Sequence, residues 1–178
     1  MHKSFSIETY YGPIADQILE KAKDIRLLVC DVDGVMSNGL IYVNNYGEEF
    51  KTFNIRDNYG IQRLLDSNIE MAIITGRYTN FLKTYCLTIG IKYLYQGQKE
   101  KILALNELLN KLKLTTEQVA YLGDDLIDSP VMEQVGLSIA VADAHPTIKS
   151  ISDYITRASG GFGAVREVCD LLLCSRVD

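Results

Sequence analysis

Short apolar runs rich in Val, Ile, Leu and Tyr alternate along this chain with amphipathic stretches of helical period, and few folds accommodate that alternation. A strand that is apolar on both sides must be covered on both sides, which a parallel sheet achieves when its connecting helices pack on its two faces. Strands are predicted near Arg26–Cys30, Met71–Thr75, Tyr93–Tyr95, Val119–Leu122, Ser138–Val141 and Tyr154–Ile155. Between them, Ile14–Lys23 carries Ile14, Ile18, Leu19 and Ala22 at helical spacing, and Glu100–Leu112 carries Ile102, Leu105, Leu108, Leu109 and Leu112. Those stripes read as core faces. A last helix is expected over Gly163–Leu173, entered through Ser159-Gly160-Gly161-Phe162-Gly163. The fold class is therefore α/β, a doubly wound, Rossmann-like and mostly parallel sheet.

One stretch departs from the alternation. Leu40–Val43 and Glu49–Phe53 flank Asn44-Asn45-Tyr46-Gly47, two β-prone runs about a turn, so a hairpin is expected across residues 38–55. It is too small to be a cap domain. It is long enough to pair edge-on with a neighbouring subunit, and it reads equally well as a plain surface hairpin. The 178 residues suit one domain, 1–178, and an apolar content of 47% suffices for its core.

Scarcity narrows the chemistry further. With 23 acids against 18 bases the net charge is −5, so the positive field that nucleic acid or an anionic membrane surface attracts is missing. Neither is expected as a partner. The two histidines, His2 and His145, are too few for a histidine-rich zinc site and leave little room for a Ser-His-Asp triad. Hydrolysis here should run on carboxylates. Cys30, Cys86, Cys169 and Cys174 form no CxxC pair and read as buried thiols of a reducing compartment. Met1–Tyr11 has no apolar leader core and no 18 apolar residues occur in succession, so a cytoplasmic protein is expected.

The sharpest local signal is Val29-Cys30-Asp31-Val32-Asp33-Gly34-Val35, an apolar strand ending in two aspartates and a glycine. Ligands of a parallel sheet sit at the carboxyl ends of its strands, which places Asp31 at the mouth of the crevice. Asp33 can turn back toward the same spot because Gly34 permits an unusual backbone. Alone, this is as readily a pair of solvated turn aspartates. A second cluster shifts the balance: Leu122-Gly123-Asp124-Asp125-Leu126-Ile127-Asp128 again follows an apolar strand. Five carboxylates above one sheet edge repel one another unless a cation sits among them. Oxygen-only ligation points to Mg²⁺. Thr75-Gly76-Arg77 ends another strand, where the hydroxyl and the Gly76 N–H can donate to phosphoryl oxygens. Lys99 and Lys101 stand at a helix start, placed to hold an anion or neutralise a carboxylate.

DxDGV, TGR, a lysine and GDDxxD, each at a strand end and in this order, resemble the haloacid dehalogenase-like phosphatases from about residue 25 to the end of the chain. Asn54-Ile55-Arg56-Asp57, Leu94-Tyr95-Gln96-Gly97-Gln98, Val141-Ala142-Asp143-Ala144 and Gly160-Gly161-Phe162-Gly163-Ala164-Val165-Arg166-Glu167 are similar more narrowly to the small, capless, tetrameric subgroup. Its members remove phosphate from a 3-deoxy-octulosonate 8-phosphate in lipopolysaccharide synthesis.

The resemblance implies that Asp31 is the nucleophile and a magnesium ligand, forming an aspartyl-phosphate. Asp33 would protonate the leaving sugar oxygen, then activate water, and would bind the metal through its backbone carbonyl. Asp124 would be the remaining side-chain ligand, with Asp125 and Asp128 holding waters or the loop. Thr75 and Lys101 would cradle the phosphoryl group, joined by Gly76. The sugar acid would be met by Arg56 and Arg77 and by the segment Asn54, Ile55, Arg56, Asp57 and Asn58. Arg166 reads equally as a helix-start arginine paired to a surface acid. With no cap, a neighbour in a homotetramer would complete each site. Asn58 and Tyr85 depart from the subgroup's glycine and arginine, and both bear on the choice of sugar. The alternatives are the same chemistry on a nonulosonate 9-phosphate and a non-catalytic oligomerisation module of the same fold.

Overall fold

The computed structural model describes residues 6–176; His2 and the start of the N-terminal segment lie outside the described residues. In chain order the elements are β1 (Ser6–Thr9), β2 (Gly12–Ala15), α1 (Asp16–Asp24), β3 (Leu27–Cys30), β4 (Tyr42–Val43), β5 (Glu49–Phe50), α2 (Ile55–Asp66), β6 (Glu70–Ile74) and α3 (Asn80–Thr88). They continue with β7 (Tyr93–Tyr95), α4 (Lys101–Leu112), β8 (Val119–Gly123), α5 (Ser129–Met132), β9 (Leu137–Ala140), α6 (Pro146–Ile151), β10 (Tyr154–Ile155) and α7 (Ala164–Cys174).

Six strands form one sheet in the order β10-β9-β8-β3-β6-β7, and every pairing in it is parallel. All six lie within one residue of the strand ends read from the sequence, because their composition matches the demand of a sheet covered on both faces. Leu27–Cys30 in β3 and Val119–Leu122 in β8 have no exposed surface. Crossovers then carry the chain in one direction from β3 through α2 and α3, and back through α4, α5 and α6. The order reverses at β3, where the strand's carboxyl end opens a crevice between its neighbours β6 and β8.

Three expectations are corrected. Ile14 does not open the first helix: it lies in β2, opposite Ile7 of β1 in a small antiparallel hairpin, and α1 buries Ile18, Leu19 and Ala22. The cue was local, since Tyr10-Tyr11-Gly12-Pro13 is a turn between β-prone residues. Cys174, at the end of α7, is exposed, whereas Cys30, Cys86 and Cys169 are buried. The ribbon at residues 38–55 is shorter than its β-prone runs, pairing Tyr42 with Phe50 and Val43 with Glu49 only. Its side chains have no layer to pack against, and Leu40, Ile41, Tyr42, Val43 and Phe50 are exposed. No described helix is long and apolar enough to cross a membrane.

Candidate active site

β3 delivers Asp31 to the crevice with its backbone N–H still donated to Leu122 O at 3.2 Å. Its carboxylate is buried: Oδ1 accepts from the Val32 N–H at 2.6 Å and Oδ2 pairs with Lys101 Nζ at 2.8 Å. The chain then coils tightly, the Val32 carbonyl accepting from the N–H groups of Val35, Met36 and Ser37. Gly34 makes the coil possible. Its φ is +83°, and a Cβ there would overlap the Asp124 carboxylate. A Cβ on Gly160 would overlap the Gly34 carbonyl, so the glycine-rich loop before α7 is the floor on which the Asp31–Gly34 loop rests. Asp143 holds that floor by accepting from Gly160 N–H at 2.9 Å.

The second carboxylate cluster is organised around Asp128, which has no exposed surface. Its Oδ1 accepts from Lys101 Nζ at 2.7 Å and from Tyr121 OH at 2.6 Å. Its Oδ2 accepts from the backbone N–H groups of Asp124 and Asp125 at 3.0 and 3.2 Å. Both oxygens are thus committed within the protein, and Asp128 acts as a brace for the loop that carries Asp124. Asp125 caps the short turn after it, accepting from Leu126 N–H at 2.7 Å. Carboxylate oxygens of Asp31, Asp124 and Asp128 lie within 4.8 Å of one another. Among the described residues nothing donates a hydrogen bond to the Asp124 carboxylate. It is the open position of the cluster.

The electrostatics follow from that packing. Burial, and then the like charges of Asp31 and Asp128, push the Asp124 carboxyl up to about 8. Burial also raises Asp31, against the pull of Lys101. Burial works against the charge on Lys101, yet the two carboxylates beside it outweigh that and hold its pKa above the ordinary lysine value. One buried ammonium therefore faces three carboxylates, an excess of negative charge that a divalent cation would neutralise.

A cleft of about 290 Å³ lies over the cluster, lined by Asp31, Asp33, Thr75, Arg77, Asp124 and Asp125 among others. A larger cavity, about 620 Å³, opens beside the β1–β2 hairpin against Leu19 and Cys174, but it contains none of the clustered carboxylates and volume alone does not select it. Thr75 is buried at the end of β6, its backbone tied to Tyr95 O and Gln98 N–H, and Gly76 reaches the cleft beside it. Arg77 donates from Nη2 to both oxygens of Glu49 at 3.1 and 2.9 Å. Asp33 is paired with Lys51 of the ribbon at 2.5 Å. Lys51 escaped the sequence reading, although strand alternation puts it on the same side as Glu49 and opposite Phe50.

The segment 54–58 divides. Asn54 caps α2, its Oδ1 accepting from Arg56 N–H at 3.0 Å, while Ile55 and Arg56 face solvent. Asp57 is not presented to the cleft as expected. It is 2% exposed and accepts from Arg166 N–H at 2.8 Å, capping the first turn of α7 from α2. Arg166 itself pairs with Asp170 at 2.9 Å and lies over Tyr59, the surface-pair alternative. The two departures from the subgroup's pattern touch: Tyr85 OH donates to Asn58 Oδ1 at 2.5 Å, with the Phe53 ring tilted against that of Tyr85, centroids 4.5 Å apart.

An all-parallel sheet with aspartates at the ends of β3 and β8 and a lysine bridging them defines a haloacid dehalogenase-like hydrolase, and the model of that family matches residues 93–167. The chain is 58% identical to the 3-deoxy-D-manno-octulosonate 8-phosphate phosphatase KdsC of Yersinia pestis over 176 residues, 99% of this chain and 94% of the relative. It is 58% identical to KdsC of Escherichia coli K12 over 96% of this chain and 91% of the relative. The chain belongs to this family of phosphatases. The Yersinia pestis crystal structure superposes with a TM-score of 0.96, covering 98% of this chain and 94% of that one. That of the Moraxella catarrhalis phosphatase, solved with magnesium, phosphate and KDO, gives 0.88 at 42% identity over 90% of this chain and 92% of that one.

Proposed function

We propose that this chain hydrolyses 3-deoxy-D-manno-octulosonate 8-phosphate to the free sugar acid and phosphate, with Mg²⁺, as a step of lipopolysaccharide synthesis. The observation that carries the reading is the opposition of Asp31, bridged to Lys101, and the open carboxylate of Asp124 across a cleft that also holds Asp33, Thr75 and Arg77. The donor set fits the ion: only oxygens converge, their charge exceeds that of the one buried ammonium, and the saturated oxygens of Asp128 leave Asp31 and Asp124 as the side chains that would hold it. The Asp33 carbonyl would complete the protein's share. When bound, Mg²⁺ supplies charge neutralisation at the phosphoryl oxygens.

Asp31 attacks phosphorus through the carboxylate oxygen that faces the cleft, with the P–O bond to the sugar breaking as the new bond forms. Lys101 and the Thr75 hydroxyl hold the phosphoryl oxygens, and Gly76 N–H adds a donor. Asp33, protonated, gives its proton to the leaving sugar oxygen. It then takes one from the water that hydrolyses the aspartyl-phosphate, returning Asp31 as a carboxylate. Arg77, which lines the cleft, meets the sugar acid's carboxylate by exchanging its contact with Glu49 for one with the substrate; Arg56 faces solvent outside the cleft lining. Release of inorganic phosphate in the presence of Mg²⁺ tests the substrate directly. The kcat/KM for 3-deoxy-D-manno-octulosonate 8-phosphate should exceed that for a nonulosonate 9-phosphate by about 10-fold or more, given one differing polar contact. Equal values would leave the chemistry standing and remove the assigned sugar.

The exposed Leu40, Ile41, Tyr42, Val43 and Phe50 of the ribbon support a homotetramer in which neighbours cover this face and close the cleft. Light scattering beside the assay checks it: a fully active monomer would contradict this assembly.

A further inference from the structure

The ribbon is exposed along its length, yet Lys51, directly after β5, keeps only 4% of its side chain in contact with solvent. An ammonium leaves water readily only for a charge partner. The partner here is Asp33, whose Oδ1 accepts from Lys51 Nζ at 2.5 Å. Two residues back on the same face, Glu49 accepts from Arg77. Glu49 of β5 and Lys51 just after it therefore fasten onto two residues of the cleft, an acid onto a cation and a cation onto an acid.

Asp33 stands in a loop, and among the described residues Lys51 makes the one hydrogen bond that fixes its carboxylate. A carboxyl group that transfers protons must be held within about 2.6–3.2 Å of the atom it serves. We propose that Lys51 is a positioning residue for Asp33, an inference that rests on the proton-transfer role given to Asp33 above. Lys51 occupies Oδ1, so Oδ2 is the oxygen left to give a proton to the leaving ester oxygen and later to receive one from the attacking water. The ribbon thereby becomes part of the chemistry rather than only a surface for assembly.

The test is a double-mutant cycle on the full chain with Mg²⁺ and 3-deoxy-D-manno-octulosonate 8-phosphate. Lys51→Met should lower kcat by about 10- to 100-fold, the scale of a misplaced catalytic group, with KM changed by less than about 3-fold. Lys51→Arg should recover part of that loss. In an Asp33→Asn background, Lys51→Met should cost nothing further, because it acts through the group already removed. Glu49→Gln, which loosens the same strand through its other ion pair, should leave kcat within about 2-fold. An unchanged kcat in Lys51→Met would overturn the inference, as would equal losses in Lys51→Met and Glu49→Gln, or the same loss with and without Asp33. If Asp33→Asn alone kept full turnover, the proton-transfer role would fall, and the role of Lys51 with it.

Discussion

Asp31→Asn is expected to remove phosphatase turnover by roughly 10⁴-fold or more, the scale seen when a covalent nucleophile is lost. The fold should survive it. The substitution preserves shape, leaves an oxygen to accept from Val32 N–H, and leaves Lys101 paired with Asp128 at 2.7 Å. Thermal unfolding in chelator should therefore change little, which separates a chemical loss from a structural one. Asp31→Glu sharpens the point. It keeps the charge and a ligating oxygen but advances the carboxylate by one methylene, so Mg²⁺ should still raise the melting temperature while turnover falls by about 100-fold or more. Phosphate release assays with differential scanning fluorimetry decide both, and substantial turnover in Asp31→Asn would rule out the aspartyl-phosphate.

Much of this site was legible because strand ends are where a parallel sheet presents chemistry. β3, β6 and β8 each end in residues whose types already suggest a role: Asp31 after Cys30, Thr75 after Ile74, Asp124 after Gly123. Composition and spacing alone leave the five carboxylates equivalent, and it is the family resemblance that separates Asp124 as a ligand from Asp125 and Asp128 as holders of waters or the loop. What neither supplies is the means: Asp128 is fully committed to Lys101, Tyr121 and two backbone N–H groups, while Asp124 is left open. That distinction depends on Tyr121 reaching across from inside β8, and a tyrosine in an apolar run gives no hint of it. Asp57 misled for the opposite reason. Its place in the family's segment suggested the cleft, but the turn of α2 aims it at the N-terminus of α7, a contact between residues more than a hundred positions apart. Lys51 was missed because an exposed ribbon suggests a solvated lysine; only the approach of the ribbon to the Asp33 loop buries it.

The larger energetic effect should come from Lys101. It is 2% exposed and is the cation shared by Asp31 and Asp128, so Lys101→Met leaves buried carboxylates facing one another with no positive charge to offset them. Removing one partner of a buried ion pair costs about 3–5 kcal/mol. Here the cost depends on pH, and its sign can be fixed. Lys101 lowers the pKa of both Asp31 and Asp124, and Asp124 already lies near 8 with the lysine present. A carboxyl whose folded pKa is raised destabilises the fold when ionised, and that penalty fades as pH falls through the folded value and a proton takes up the charge. Lys101→Met should therefore be least stable in chelator at pH 9, and should approach the wild-type melting temperature as the pH is lowered to about 5. Mg²⁺ should narrow the gap at pH 8, because a divalent ion supplies the missing positive charge. The same linkage acts in the unaltered protein: the proton on Asp124 must leave before its oxygens can ligate, so Mg²⁺ affinity should rise with pH up to about 8 and level off above it. Calorimetric titration of Mg²⁺ at several pH values reads both the affinity and the proton released. An affinity flat from pH 6 to 9, or a Lys101→Met deficit that grows on acidification, would mean that the charge excess does not govern this cluster.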